Sequence, residues 1–99
     1  MNYQARYTVE ARADLIRLYK FLLEQDPADT GRALETIRKG ADMLASFPFT
    51  CRKVDSDNPY LRELVVPFGN TGYVALFEIE AEDTVTIFAI RHQREDDYH

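Results

Sequence analysis

The sequence predicts an α+β domain of two layers: an N-terminal strand, an antiparallel helical hairpin, then a three-stranded antiparallel meander. Three observations carry that reading. Apolar residues recur at helical spacing from Ala11 to Leu22 and again from Leu34 to Leu44. Short β-prone apolar runs take over in the second half. Turn-forming clusters at Asp26-Pro27, residues 55–59 and residues 67–72 separate the elements.

Residues 3–7 alternate loosely and form the first expected strand. Thr8 is positioned to cap a helix beginning near Val9, with Glu10 in the first turn, where the helix dipole favours an anion. Ala11, Leu15, Leu18, Tyr19 and Leu22 give this helix its apolar stripe. Asp26-Pro27 stops it and starts the next, with Asp26 as cap and Pro27 in the first turn. Leu34, Ile37, Ala41 and Leu44 form the second stripe, which Phe47-Pro48 closes. The two stripes are expected to face each other in the hairpin. Residues 49–59 are polar and read as a loop with an exposed tip at Asp55-Ser56-Asp57-Asn58-Pro59. Strands are then expected at 60–66, 72–80 and 84–91, joined by short turns that make them antiparallel neighbours.

Ninety-nine residues, 45% of them hydrophobic, make a single domain over 1–99 with one core. The longest apolar runs are four or five residues, too short to span a bilayer. The Met1-Asn2-Tyr3-Gln4 start has neither a basic nor an apolar leader segment, so no secretory signal is expected. A lone cysteine, Cys51, cannot form an internal disulfide, and a cytoplasmic location is the expectation. The net charge of −5 is uneven. Residues 1–54 hold nine Lys/Arg against seven Asp/Glu, whereas residues 55–99 hold three against ten. That balance argues against a general nucleic-acid binder, which would present a basic surface to phosphates.

The chemistry-bearing segment is Ile90-Arg91-His92-Gln93-Arg94, where an apolar strand ends in two arginines and a histidine. Such a group can grip a phosphate or carboxylate and move a proton. It can equally pair with Glu95, Asp96 and Asp97, leaving His92 to cap the strand end. Alternation puts Arg91 and His92 on opposite sides of a strand that persists so far. Arg62 offers the same choice: it joins this basic edge from the open side of the sheet, or pairs with Glu78 or Glu80. Cys51, beside Arg52 and Lys53, has neighbours that could lower a thiol pKa but no partner base nearby, so a non-catalytic thiol is expected. His92, His99, Asp96 and Asp97 match no standard metal spacing, and neither metal nor cofactor is expected. Gly69-Asn70-Thr71-Gly72 is a hairpin turn rather than a phosphate loop. Tyr73, Phe77 and Phe88 alternate as core residues would.

Four segments together resemble a known family. They are Thr8-Val9-Glu10-Ala11-Arg12-Ala13-Asp14-Leu15, Leu61-Arg62-Glu63-Leu64-Val65-Val66-Pro67, Tyr73-Val74-Ala75-Leu76-Phe77-Glu78-Ile79 and the Ile90-to-Asp96 ending with its His-x-Arg. In order and over nearly the whole chain they resemble the ParE branch of the RelE/ParE toxins of bacterial toxin–antitoxin operons. The resemblance implies a plasmid-stabilisation-type toxin held inactive by a cognate antitoxin from the same operon, with no membrane partner. It implies DNA gyrase as the target of ParE-like members and ribosome-bound mRNA as the substrate of RelE-like ones. Target-binding candidates are Arg62, Arg91, His92 and Arg94; a RelE-like catalytic set would be Arg62, Arg94 and Tyr98. Val74 stands where RelE-type enzymes place a catalytic arginine, and Arg52-Lys53 is all that remains of their Lys-rich segment. These departures favour a ParE-like toxin that binds its target without enzymatic activity, with a RelE-like ribosome-dependent mRNA endoribonuclease as the alternative that the resemblance leaves open.

Overall fold

The computed structural model describes residues 3–25, 27–68 and 71–93. In chain order they form β1 (Gln4–Tyr7), α1 (Val9–Gln25), α2 (Thr30–Leu44), a 3-10 turn at Pro48–Thr50, β2 (Arg52–Asp55), β3 (Asn58–Phe68), β4 (Thr71–Glu80) and β5 (Thr84–His92). The strands make one sheet in the order β1-β5-β4-β3-β2. β2 to β5 are antiparallel neighbours, while β1 runs parallel to β5 with Ala5 opposite Val85 and Tyr7 opposite Ile87.

The α+β class and the two helices follow the sequence expectation, but the sheet is mixed and has five strands, not an isolated strand and a meander. The additional strand, β2, lies within residues 49–59, expected to be a loop. All four of its side chains are exposed, so it leaves no alternation to read. It forms because the 56–57 turn, with the Asp57 amide donating to the Asp55 carboxylate at 2.9 Å, folds it back on β3. The parallel β1–β5 pair joins residues about eighty positions apart, a pairing that local signals cannot announce.

Thr8 caps α1 as its hydroxyl suggests, accepting the Ala11 amide at 3.0 Å. The second helix starts later than expected, at Thr30; its N-cap is Asp29, whose carboxylate takes Arg32 at 3.0 Å instead of a helix amide. Pro27 falls in the preceding turn, and Asp26 lies outside the described residues. The helices lie on one face of the sheet, each resting chiefly on strands rather than on its partner's stripe. Ala11, Leu18, Leu22, Ala33, Ile37 and Leu44 pack with Leu64, Val66, Ala75, Phe77, Ile87 and Ile90 in one core. Gly40 brings α2 close to β3, since a Cβ there would stand 3.0 Å from Val66 Cγ2 and 3.1 Å from Leu64 Cδ2. Tyr73 and Phe77 are core residues as expected, but Phe88 is only half-buried. It is the extra residue where the β4–β5 register shifts between Leu76 and Phe77, a bulge that breaks the alternation.

The end of β1 creates a problem that α1 resolves. β1 covers the edge of β5 only as far as Ile87, and beyond that the backbone groups of β5 face α1. Thr8 extends the cover, its amide donating to the Ile87 carbonyl at 3.0 Å. The Asp14 carboxylate then accepts the Ile90 amide at 2.9 Å and pairs with Arg91. Arg17 Nη2 stands 3.5 Å from the Ile90 carbonyl and 3.9 Å from Asp14 Oδ1. A half-exposed strand edge is thus closed by side chains from a helix. No helix among the described residues is long and apolar enough to cross a membrane.

Two stability outcomes follow from these contacts. Gly72 has no room for a side chain: an added Cβ would collide with the Val66 carbonyl oxygen and sit 3.1 Å from Pro67 Cα, while nothing lies within 4 Å of Gly31. Gly72→Ala should lower unfolding free energy by roughly 1–3 kcal/mol, and Gly31→Ala, early in α2, should raise it by about 0.5–1 kcal/mol. Denaturant unfolding of both variants checks the opposite signs. At the closed edge, Asp14→Ala strips Arg91 and the Ile90 amide of their acceptor together and should be worth about 3 kcal/mol of lost stability. Arg91→Ala leaves Asp14 with the Ile90 amide and Arg17, so its effect should be only about 1–2 kcal/mol. Equal losses, or the reverse order, would contradict this account of the edge.

Candidate functional site

The basic ending singled out in the sequence begins where β3 closes, β4 opens and β5 finishes. β5 persists through His92, so Arg91 and His92 leave the strand on opposite sides, as alternation requires. His92 lies opposite Tyr73 and meets its ring edge-on, with centroids 5.5 Å apart. Tyr73 in turn tilts against Phe68 at 6.2 Å, and Arg32 of α2 stands over the Phe68 ring at 5.2 Å. Burial pushes the Tyr73 hydroxyl above its ordinary pKa, which keeps it protonated. The result is a ladder of rings on the helix side of the sheet, from Arg32 to His92. The Gln93 amide donates to the Gly72 carbonyl at 2.8 Å and holds the chain just past the strand.

On the other side, Arg91 is Val74's cross-strand neighbour and is ion-paired with Asp14. Arg17 joins the same carboxylate and is about half exposed. Val65, Val74 and Leu76 lie on this face, outside the core cluster that the helices cover. Val74, the fourth residue of β4, supplies no guanidinium to this face and is itself buried, 9% exposed.

Arg62 is nowhere near this group. It lies opposite Phe77, on the helix side of the sheet, and is 9% exposed. Its guanidinium donates to the carbonyls of Pro59 at 2.7 Å, Phe49 at 2.8 Å and Cys51 at 2.8 Å, and stacks over the Phe49 ring at 5.1 Å. Neither expected partner, Glu78 or Glu80, engages it. The reason is geometric: the 3-10 turn at 48–50 leaves carbonyls pointing inward at the start of β3, and a planar five-donor group satisfies several together. Cys51 is buried next to it. Burial raises the thiol pKa and the Arg62 charge opposes that only in part, so the basic sequence neighbours do not make it a reactive thiolate. Arg94, Tyr98, His99 and the acidic residues 95–97 lie outside the described residues.

Of the sequence candidates, the fold thus brings Arg91 and His92 to one strand end and removes Arg62 to another. It adds Arg17 and Arg32, neither of which was a candidate in the sequence. The spacing of Asp14 and Arg17, one turn apart, was a usable signal only once the strand that they cover was known.

A second surface lies between the helices. Tyr7, Leu15, Ile16, Tyr19, Leu34, Ile37 and Arg38 line an apolar groove of about 360 Å³. Ile16 is 57% exposed and Tyr19 43%, and Val9, Ile16 and Leu23 continue an exposed apolar line along α1 at intervals of seven residues. Arg38, held by Glu35 and Asp42, sits at the rim. Apolar exposure of this extent is unusual for a surface that stays in water.

The arrangement has known counterparts. A family model described as the ParE toxin of the type II toxin–antitoxin system parDE matches residues 5–97. Toxin RelE3 of Caulobacter vibrioides is 36% identical over 85 residues, covering 86% of this chain and 88% of that protein. Toxin RelE1 of the same organism is 30% identical over 79 residues, covering 80% and 82%. Among solved structures, the chromosomal ParDE toxin–antitoxin system from P. aeruginosa superposes with a TM-score of 0.72 at 20% identity, over 91% of this chain and 95% of that one. The RelBE2 complex from Mycobacterium tuberculosis gives 0.61 at 23% identity, over 93% and 99%. At those identities the structures speak for the fold. The family match over nearly the whole chain, with two relatives of its own size, speaks for descent: this chain belongs to the ParE toxin family of type II toxin–antitoxin systems.

Proposed function

We propose that this toxin acts by binding a protein target, DNA gyrase, and that it does not cut RNA. The observation that carries the reading is the fate of two of the guanidinium positions an RNA-cleaving site would use. One position is Val74, which is apolar and buried; the other is Arg62, held by three backbone carbonyls on the helix side. A group held on the helix side of the sheet by three backbone carbonyls and the Phe49 ring is not aimed at a phosphate on the open face. Target contact is assigned to the end of β5, with His92 and Arg94 as the contacting groups and Arg91 holding the strand end through Asp14.

The partner that keeps the toxin inactive is a cognate antitoxin from the same operon. The groove between α1 and α2 supports this reading, because an amphipathic segment laid there would cover Ile16 and Tyr19 and hold its anchors at helical spacing. The two structural neighbours, by their own descriptions, are toxin–antitoxin systems.

A second reading keeps the relatives' names in view: both sequence relatives are RelE toxins. In that reading the chain is a ribosome-dependent mRNA endoribonuclease using Arg62, Arg94 and Tyr98.

Binding to the folded state alone must raise stability, by about 2.7 kcal/mol at a hundredfold excess over Kd. The melting temperature should therefore rise several degrees with the neighbour-encoded antitoxin, and Ile16→Glu should weaken that effect without changing the melting of the free toxin. An unchanged melting temperature at saturation would reject the pairing. The target is separated in vitro. Purified toxin should inhibit gyrase supercoiling and leave mRNA on programmed ribosomes intact, and the His92→Ala/Arg94→Ala variant should lose the inhibition while remaining folded by circular dichroism. A-site cleavage that disappears in Arg94→Ala would establish the nuclease reading instead.

A further inference from the structure

At the far end of the sheet from His92, a cleft of about 500 Å³ opens between Tyr3, Phe49, Tyr60 and the β4–β5 turn. Its floor is aromatic. Phe49 meets Tyr3 at 6.5 Å and Tyr60 at 6.3 Å between centroids, both edge-on, and Phe49 and Tyr60 remain about half exposed. Its rim is acidic, carrying Glu80, Glu82 and Asp83. Glu80 is engaged by Arg6 and Thr86, but the carboxylates of Glu82 and Asp83 have no side-chain partner among the described residues. The turn is held in place by the Gln4 amide, which donates to the Asp83 carbonyl at 2.7 Å. None of these residues lines the groove between the helices.

We propose that this cleft binds a guanidinium side chain from a basic segment of a protein partner. Aromatic faces attract cations, and two carboxylates beside them supply acceptors for the N–H groups of a guanidinium. The protein already makes this contact once: the Arg62 guanidinium stacks on Phe49 at 5.1 Å. Arg62 is anchored under that ring by the Pro59, Phe49 and Cys51 carbonyls, which take three of its five donors, and it engages neither Glu82 nor Asp83. Lysine fits less well, since a strongly hydrated ammonium gains less from an aromatic floor. A nucleic acid is disfavoured, as its phosphates would face Glu82 and Asp83. The inference does not depend on which target the toxin acts upon.

The test is an NMR titration of the full chain with three capped peptides, Gly-Arg-Gly-Arg-Gly and its Lys and Glu counterparts. The arginine peptide should give saturable shifts confined to Tyr3, Phe49, Tyr60 and residues 80–83, the lysine peptide weaker ones, and the glutamate peptide none. Tyr60→Leu should weaken binding roughly fivefold, as expected when one cation–π contact is lost, and Glu82→Gln/Asp83→Asn should do so by a similar factor. Each variant's melting temperature should match the parent's. Shifts that never saturate, that spread over the whole acidic surface, or that survive both variants at full affinity would overturn the proposal.

Discussion

β1 ends before β5 does, and the fold depends on how the exposed remainder of that edge is satisfied. One continuous segment performs the task. Its strand pairs in parallel with β5 up to Ile87, the Thr8 amide takes the Ile87 carbonyl, and in the second turn of α1 Asp14 accepts the Ile90 amide. The same carboxylate holds Arg91, and Arg17 closes the set at the Ile90 carbonyl. Because Asp14 lies on the buried side of α1, between Ala11 and Leu18, the polar contact and the core contact are made by the same helix face. The helix cannot rotate to improve one without losing the other. Its seat on β5 is thereby specified, and a polar network of this kind gains its value from being complete.

That seating determines which surfaces are left for partners. With both helices on one face, α1 turns Val9, Ile16 and Leu23 outward and shares with α2 a groove floored by Leu15 and Ile37. The opposite face keeps an apolar centre at Val65, Val74 and Leu76, with Arg91 drawn to Asp14 at its margin. The end of β5 is fixed up to Gln93 by the Gly72 carbonyl and the Tyr73 ring. The Tyr73 ring meets the His92 imidazole edge-on and so marks where the strand end presents it. The aromatic cleft at the other end is equally preformed, so the two ends of the sheet are separate in chemistry as well as in space.

The behaviour of Arg62 shows how a charged residue's role is decided by backbone geometry elsewhere. In the sequence it sits among strand residues with carboxylates available on the neighbouring strand, and an exposed ion pair was a fair expectation. In the fold, the 3-10 turn at Pro48–Thr50 directs the Phe49 and Cys51 carbonyls toward it, and burial makes those bonds worth more than a solvated pair. The same burial raises the pKa of the Cys51 thiol, which the Arg62 charge opposes only in part. A single arginine thus joins the start of β3 to the segment before β2.

Much was legible in the residues alone. The helical stripes, the Thr8 cap, the strand that carries Arg91 and His92 to opposite sides, and the β3–β4 and β4–β5 hairpins all rest on interactions within a few positions of each other. Periodicity and turn chemistry record such interactions directly. The family resemblance rested on the same local segments. What only the tertiary structure decided involves partners far apart in the chain or strands without burial. β2 has no buried side and so no pattern; β1 finds β5 across about eighty residues. The bulge at Phe88, the seat of Asp14 on Ile90, the inward turn of Arg62 and the arrival of Arg32 beside Phe68 depend on which backbone groups each meets. A sequence names the donors and acceptors it contains, but their pairing over long separations is settled by how the layers pack and which edges remain to be closed.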